Sequence, residues 1–216
     1  DTSAPHGSVG SLLLDPSDLY VGTVPEGAKE LSGTPFKAPP DNDADNGSFF
    51  VAAGSLASNT DYTLQATQDV IFNQASVTFG SGTGKTVSVT AGREITGGAS
   101  NPPPSLTTQG GNLSLRAGEA EAAGNITVGS ISIGSGRLTV DLVKASDRMN
   151  QTAGITAGAL EKKGLGTLTL GGTNIYSGGT TISGGVLAVT QTNSLASDSQ
   201  LVINGGSLEI SGDITL

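Results

Sequence analysis

The feature that most constrains this chain is a short apolar–polar alternation that keeps returning. It appears in Thr86-Val87-Ser88-Val89-Thr90, in Asn112-Leu113-Ser114-Leu115-Arg116, in Arg137-Leu138-Thr139-Val140-Asp141 and in Thr167-Leu168-Thr169-Leu170. Alternation at period two over so few residues is the pattern of a half-buried strand, whose successive side chains point to opposite faces. Gly, Asn and Ser clusters bound nearly every run, and these residues supply turns with positive φ. No apolar series at helical spacing lasts three turns. The most helix-like window, Ala117 to Ala123, is interrupted by Gly118 and stopped by Gly124. The chain reads as all-β.

The runs also repeat. Thr63-Leu64-Gln65-Ala66, Val87-Ser88-Val89-Thr90-Ala91 and Leu113-Ser114-Leu115-Arg116-Ala117 each close on an alanine, at steps of 25 and 26 residues. Later, Gly184-Gly185-Val186-Leu187-Ala188-Val189 returns as Gly205-Gly206-Ser207-Leu208-Glu209-Ile210, a step of 21. Such a period fits one coil of a β-helix and is too short for a propeller blade of about 40–45 residues. In a β-helix each inward side chain stacks on its equivalent one coil away, which favours Val, Ile, Leu and Ala and leaves little room for rings. A composition of 4% aromatic residues with 33 glycines follows from that. A β-sandwich would carry larger buried aromatics and fewer Gly-Gly pairs. The expected fold is therefore a parallel β-helix of about eight or nine coils with loop excursions, a rod roughly 40 Å long at the strand spacing of a sheet.

Three stretches differ in character. Residues 1–48 form an irregular leading segment, with a strand at Ser11-Leu12-Leu13-Leu14 and a surface loop over 22–48 that holds Pro25, Pro35, Pro39 and Pro40. Residues 49–159 hold the longer repeats, and 160–216 the shorter ones. Asn101-Pro102-Pro103-Pro104 marks a second excursion, so loops 22–48 and 99–109 are the expected places for a partner. A net charge of −9, with 10 Lys and Arg against 19 acids, argues against nucleic acid or an anionic membrane as that partner. No apolar run approaches the roughly 18–20 residues that span a bilayer, so no membrane insertion by this segment is expected. The start, Asp1-Thr2-Ser3-Ala4-Pro5-His6, lacks the basic and apolar regions of a signal peptide. With no cysteine, disulfides and zinc–thiolate sites are excluded.

Residues 160–210 carry Gly166-Thr167-Leu168-Thr169-Leu170, then Thr173-Asn174-Ile175-Tyr176-Ser177-Gly178-Gly179-Thr180, then Gly184-Gly185-Val186-Leu187. In order and spacing this resembles the passenger-associated transport repeat of Gram-negative autotransporters. The resemblance implies a right-handed β-helix exported by type V secretion, in which the repeat assists passage and folding. Ser11-Leu12-Leu13-Leu14-Asp15-Pro16, Leu56-Ala57-Ser58-Asn59-Thr60-Asp61-Tyr62-Thr63-Leu64-Gln65-Ala66-Thr67-Gln68-Asp69-Val70 and Ala91-Gly92-Arg93-Glu94-Ile95 are similar to filamentous-haemagglutinin-like exoproteins, a likeness that covers roughly 11–142. Both families imply the same fold and a cell-surface or extracellular location, and neither brings catalytic residues to this chain. Both also imply a signal peptide, a secretion domain or a barrel that this sequence does not show, so it is expected to be an internal piece or processed product of a larger polypeptide.

Candidate chemistry is sparse. Gly80-Ser81-Gly82-Thr83-Gly84-Lys85-Thr86 has Phe79 where a phosphate loop needs glycine, and a strand rather than a helix follows, so it reads as a hairpin or coil corner. Asp41, Asp43 and Asp45 alternate as in calcium loops, but Gly47 comes one place late and Ala52 stands where a bidentate Glu is needed. They are a weak calcium candidate. His6 has no second His or Cys with which to share a metal, and no catalytic triad assembles away from it. Asp141, Asp147 and Glu119 with Glu121 are the carboxylates to weigh for a polysaccharide-cleaving groove, which would also want Trp platforms that are absent. Asn174 and Tyr176 read as a turn residue in the left-handed region and a capping aromatic of the repeat. No cofactor and no enzymatic activity are expected. The expected function is a structural or adhesive passenger that meets a host-cell, bacterial-cell or matrix surface. The alternatives are an extracellular fibre subunit that stacks end to end on itself and, behind it, a β-helix enzyme.

Overall fold

The computed structural model describes residues 17–23, 30–31, 49–98, 102–120, 122–196 and 200–211. The chain leads in with β1 (Asp18–Gly22), β2 (Glu30–Leu31), β3 (Phe49–Ala52) and a single 3₁₀ turn at Ala53–Leu56. Four three-sided coils follow. They are β4 (Tyr62–Ala66), β5 (Asp69–Phe72) and β6 (Ser76–Gly82); β7 (Thr86–Ala91), β8 (Ile95–Gly97) and β9 (Ser105–Gln109); β10 (Asn112–Ala117), β11 (Asn125–Ile126) and β12 (Ile131–Ser132); and β13 (Arg137–Leu142), β14 (Arg148–Gln151) and β15 (Ile155–Thr156). Three coils with two strands each complete the stack: β16 (Ala159–Lys163) and β17 (Thr167–Leu170), β18 (Thr180–Ile182) and β19 (Val186–Val189), β20 (Leu201–Ile203) and β21 (Ser207–Ile210).

The strands form three parallel sheets, one per side. A seven-stranded sheet runs β4-β7-β10-β13-β16-β18-β20, a ten-stranded sheet runs β2-β3-β1-β5-β8-β11-β14-β17-β19-β21, and a four-stranded sheet runs β6-β9-β12-β15. This is the parallel β-helix that the periodicity predicts. The alanines that revealed the period are partners in register, Ala66 with Ala91 and Ala91 with Ala117. Among the described residues seven coils are complete on the seven-stranded side. The leading strands do not wind as coils: β1 lies between β3 and β5, so β1, β2 and β3 lengthen one sheet by three rungs.

The two sequence periods have a structural cause. Tyr62, Val87, Leu113, Leu138, Leu160, Thr180 and Leu201 are successive partners. Coils that own a strand in the four-stranded sheet are longer, and the shorter ones begin where that sheet ends at β15, with only a bridge between Thr156 and Ile175 beyond it. One expectation is corrected. Of the loop placed at 99–109, Ser105–Gln109 is strand β9 with Leu106 fully buried. Proline has no N–H to give a ladder, so the strand starts directly after Pro102-Pro103-Pro104. Most of 22–48, and the strand expected at 11–14, lie outside the described residues.

Inside, the coils build continuous files of apolar side chains. Leu64, Val89, Leu115 and Val140 form one file, and Val70, Ile95, Ile126, Met149, Leu168 and Leu187 form another. Each is buried to within a few per cent. Tyr62 and Phe79 pack inside the first coil, with ring centroids 6.1 Å apart.

Candidate functional site

The transport-like motif begins where the four-stranded sheet stops, and its coil carries polar groups into the core. Thr167–Leu170 is an ordinary strand, with both leucines fully buried and both threonines facing outward. Thr173 and Ser177 are exposed, Asn174 and Tyr176 are buried, and Ile175 between them is 66% exposed. The polarity of this corner is thus inverted. The Asn174 side chain explains it: its Oδ1 accepts the Ile155 N–H at 2.9 Å and its Nδ2 donates to the Ser194 carbonyl. Ile155, Asn174 and Ser194 lie in three consecutive coils, so one amide ties them together. Sequence reasoning placed Asn174 in a left-handed turn. Among the described non-glycine residues that conformation belongs to Asn193 (φ 66°), whose carbonyl accepts the Asn174 N–H at 3.1 Å.

Tyr176 is a core residue rather than a cap. Its hydroxyl accepts from Thr180 Oγ1 at 3.0 Å, which satisfies a threonine standing in a file of leucines between Leu160 and Leu201. Burial pushes the Tyr176 hydroxyl above its ordinary pKa. Gly178 and Gly179 follow at the corner. Gly184 and Gly185 turn the next one, where Gly185 has φ +63° and its missing Cβ would fall on the Gly166 carbonyl.

Lys162 is the residue that sequence reasoning missed. It is fully buried, in register between Val140 and Ile182. Its ammonium donates to the carbonyls of Lys163, Gly164 at 3.1 Å and Gly184 at 3.3 Å. Burial holds its pKa down at about 8, against the upward pull of Asp141 and Asp147. The signal was available, because Lys162 shares strand parity with inward Leu160.

Of the carboxylates considered for polysaccharide cleavage, the described ones are each committed to partners within the protein. Asp147 is fully buried, and it accepts the N–H groups of Gly124 and Lys144, each at 2.6 Å. Asp141 and Glu119 are both held by Arg116, with Glu119 at 2.7 Å. Glu121 lies outside the described residues, as do His6 and the calcium candidates Asp41, Asp43 and Asp45. Among the described residues no three His, Cys, Asp or Glu side chains gather as metal ligands. In the Gly80–Thr86 corner, Lys85 pairs with Asp61 at 3.8 Å.

The fold and this corner define a stretch of parallel β-helix whose later coils follow a transport-repeat pattern. Residues 160–189 match the family described as the passenger-associated-transport-repeat. Part of the chain is also similar to a curated protein, the adhesin BmaC autotransporter of Brucella suis biovar 1, at 43% identity over 61 residues. That match covers 28% of this chain and 2% of the relative's length. No solved structure matches. Motif, coil geometry and relative agree on a passenger region of a type V secreted protein, at the Gram-negative outer membrane or outside the cell. No helix among the described residues is long and apolar enough to cross a membrane.

Proposed function

We propose that this chain is a length of rod in a surface-displayed adhesive passenger and that it performs no catalysis. The observation that carries the reading is that the transport-repeat segment is continuous with the rest of the stack: β16 pairs with β13 and β17 with β14, rung on rung. A stiff rod of roughly ten rungs at about 4.8 Å holds its side faces at a fixed spacing from whatever anchors it. The similarity to a protein named an adhesin supports contact with a host-cell, bacterial-cell or matrix surface as the purpose of those faces. Asp141 and Glu119, the considered carboxylates that are not buried among the described residues, are both bound to Arg116, which supports a role in holding the coils together.

Beads coated with the folded chain should be retained on host cells, bacterial lawns or matrix several-fold better than beads coated with the heat-unfolded chain. Equal retention on all three would sink the adhesive reading. A second reading, a fibre subunit that stacks end to end, draws on β20 and β21. Among the described residues they are the last strands of their sheets, with Ile203 and Ile210 about half exposed, and strand edges template further pairing. Electron microscopy of native material decides it: long continuous filaments favour the fibre, and isolated rods favour the adhesin.

A further inference from the structure

The corner between β20 and β21 reads Asn204-Gly205-Gly206. Asparagine is a thermolabile residue, and its amide is lost most readily where the backbone nitrogen of the next residue is free to reach it. Among the described residues Asn204 is the one asparagine that precedes a glycine. Asn204 and Gly205 are both exposed, and no hydrogen bond holds the Asn204 side-chain amide or the Gly205 N–H. Gly205 has φ +133° and no side chain to shield its nitrogen. The other described asparagines lack this combination. Side-chain hydrogen bonds hold the amides of Asn59, Asn73, Asn112, Asn125 and Asn174. Asn150 and Asn193 are exposed, but Gln151 after the first lies within β14, and the Ser194 N–H after the second is already donated to the Gln191 carbonyl at 3.1 Å.

We propose that Asn204 is a site of spontaneous covalent modification, deamidating through a cyclic imide to aspartate and isoaspartate. The Gly205 nitrogen attacks Asn204 Cγ. A new N–C bond forms, the Cγ–Nδ2 bond breaks, and the Gly205 proton leaves with the amide as ammonia. One water from solvent then opens the imide. Opening at Cγ gives aspartate; opening at the main-chain carbonyl gives isoaspartate, with an extra methylene in the backbone. Both products add a negative charge to the exposed corner. The corner one coil earlier shows that its turn does not require asparagine. Ser183 follows Ile182 as Asn204 follows Ile203, the register partner of Ile182, and Gly184-Gly185 stand where Gly205-Gly206 do. The site stands whether the chain is an adhesin or a fibre subunit, and it lies between the two strands whose edges the fibre reading uses.

Folded chain and guanidinium-unfolded chain, incubated side by side in mildly alkaline buffer, digested at mildly acidic pH and mapped by tandem mass spectrometry, test this. In the folded chain Asn204 should convert several-fold faster than Asn150, Asn174 or Asn193, and about as fast as it does in the unfolded chain. Isoaspartyl methyltransferase with a labelled methyl donor should mark the folded chain. An Asn204→Ser variant, which copies the corner at Ser183, should lose that mark from residues 160–216 while its circular dichroism matches the parent. Should the variant fail to fold, the fragment spectra of the parent still assign the converted residue. The other Asn-Gly pair of the sequence, Asn46-Gly47, lies outside the described residues and separates from Asn204 in the peptide map. An Asn204 that stays intact in the folded chain while it reacts in the unfolded one would overturn the proposal, and so would conversion no faster than at Asn193.

Discussion

Lys162 shows how far a single residue can depart from its file. In a column of Val and Leu, its ammonium is satisfied by backbone carbonyls and by no contacting carboxylate, so the buried charge is costly. Its folded pKa of about 8 lies below the model-compound value of 10.5. The unfolded chain therefore binds the proton more tightly, and stability should rise as pH climbs from about 8 towards 10. Lys162→Met should raise the urea midpoint at pH 7, by an amount equivalent to about 1–3 kcal/mol, and should flatten that rise; an unchanged pH profile would contradict the burial. Asn174→Ala should act in the opposite sense. It leaves the buried Ile155 N–H and the Ser194 carbonyl without their partners, at a cost of about 2–3 kcal/mol, read as loss of hydrogen-exchange protection at Ile155. Neither residue was legible from side-chain polarity, which puts lysine and asparagine outside. Strand parity from Leu160 does place Lys162 inside. Asn174 gives no such signal, because its purpose appears only when three coils lie side by side.

At the scale of strands and corners, the longer runs were legible and the shortest were not. β7, β10, β13 and β17 have enough residues to show alternation. β12 and β15 are two residues each, too short for any period, and the third side of the helix stayed hidden among Gly, Ser and Thr. Corners are held by backbone contacts that sequence patterns do not report. At the corner between β10 and β11, Gly118 has φ +99°, and a Cβ there would strike the Asp147 carboxylate. That carboxylate is already committed to the amides of Gly124 and Lys144. Gly118→Ala should therefore destabilise by more than the ~1 kcal/mol of backbone strain alone. Asp147→Ala should cost about 2–3 kcal/mol through its two orphaned amides. In both variants thermal melting with local hydrogen exchange should show the opening confined to the coils around Asp147. The ion pairs Arg93–Asp69 and Arg137–Glu161 link neighbouring coils at the surface and contribute little individually, about 0–1 kcal/mol each.

Across the whole molecule each coil touches chiefly its neighbours, so stability is close to a sum of coil and interface terms. The buried polar groups are unevenly shared along that line. Among the described residues, Asp147, Gln151, Lys162, Asn174, Thr180 and Ser194 crowd the later coils, while Ser81 and Thr108 are those of the earlier ones. The later coils should consequently open first under denaturant, and hydrogen exchange that reported the reverse order would argue against this distribution of cost. The chain has no cysteine, which allows the central claim, one continuous in-register stack through the transport repeat, to be tested with paired spin labels. Thr63, Ser88, Ser114, Thr139, Glu161, Thr181 and Val202 are successive partners on the seven-stranded side. With one label at Thr63 and the second moved from Thr139 to Glu161, Thr181 and Val202, double electron–electron resonance should give backbone separations that lengthen by about 4.8 Å per step, from about 14 to about 29 Å. Distances that stop growing at Glu161, or that do not follow the number of coils, would show that the repeat does not continue the rod.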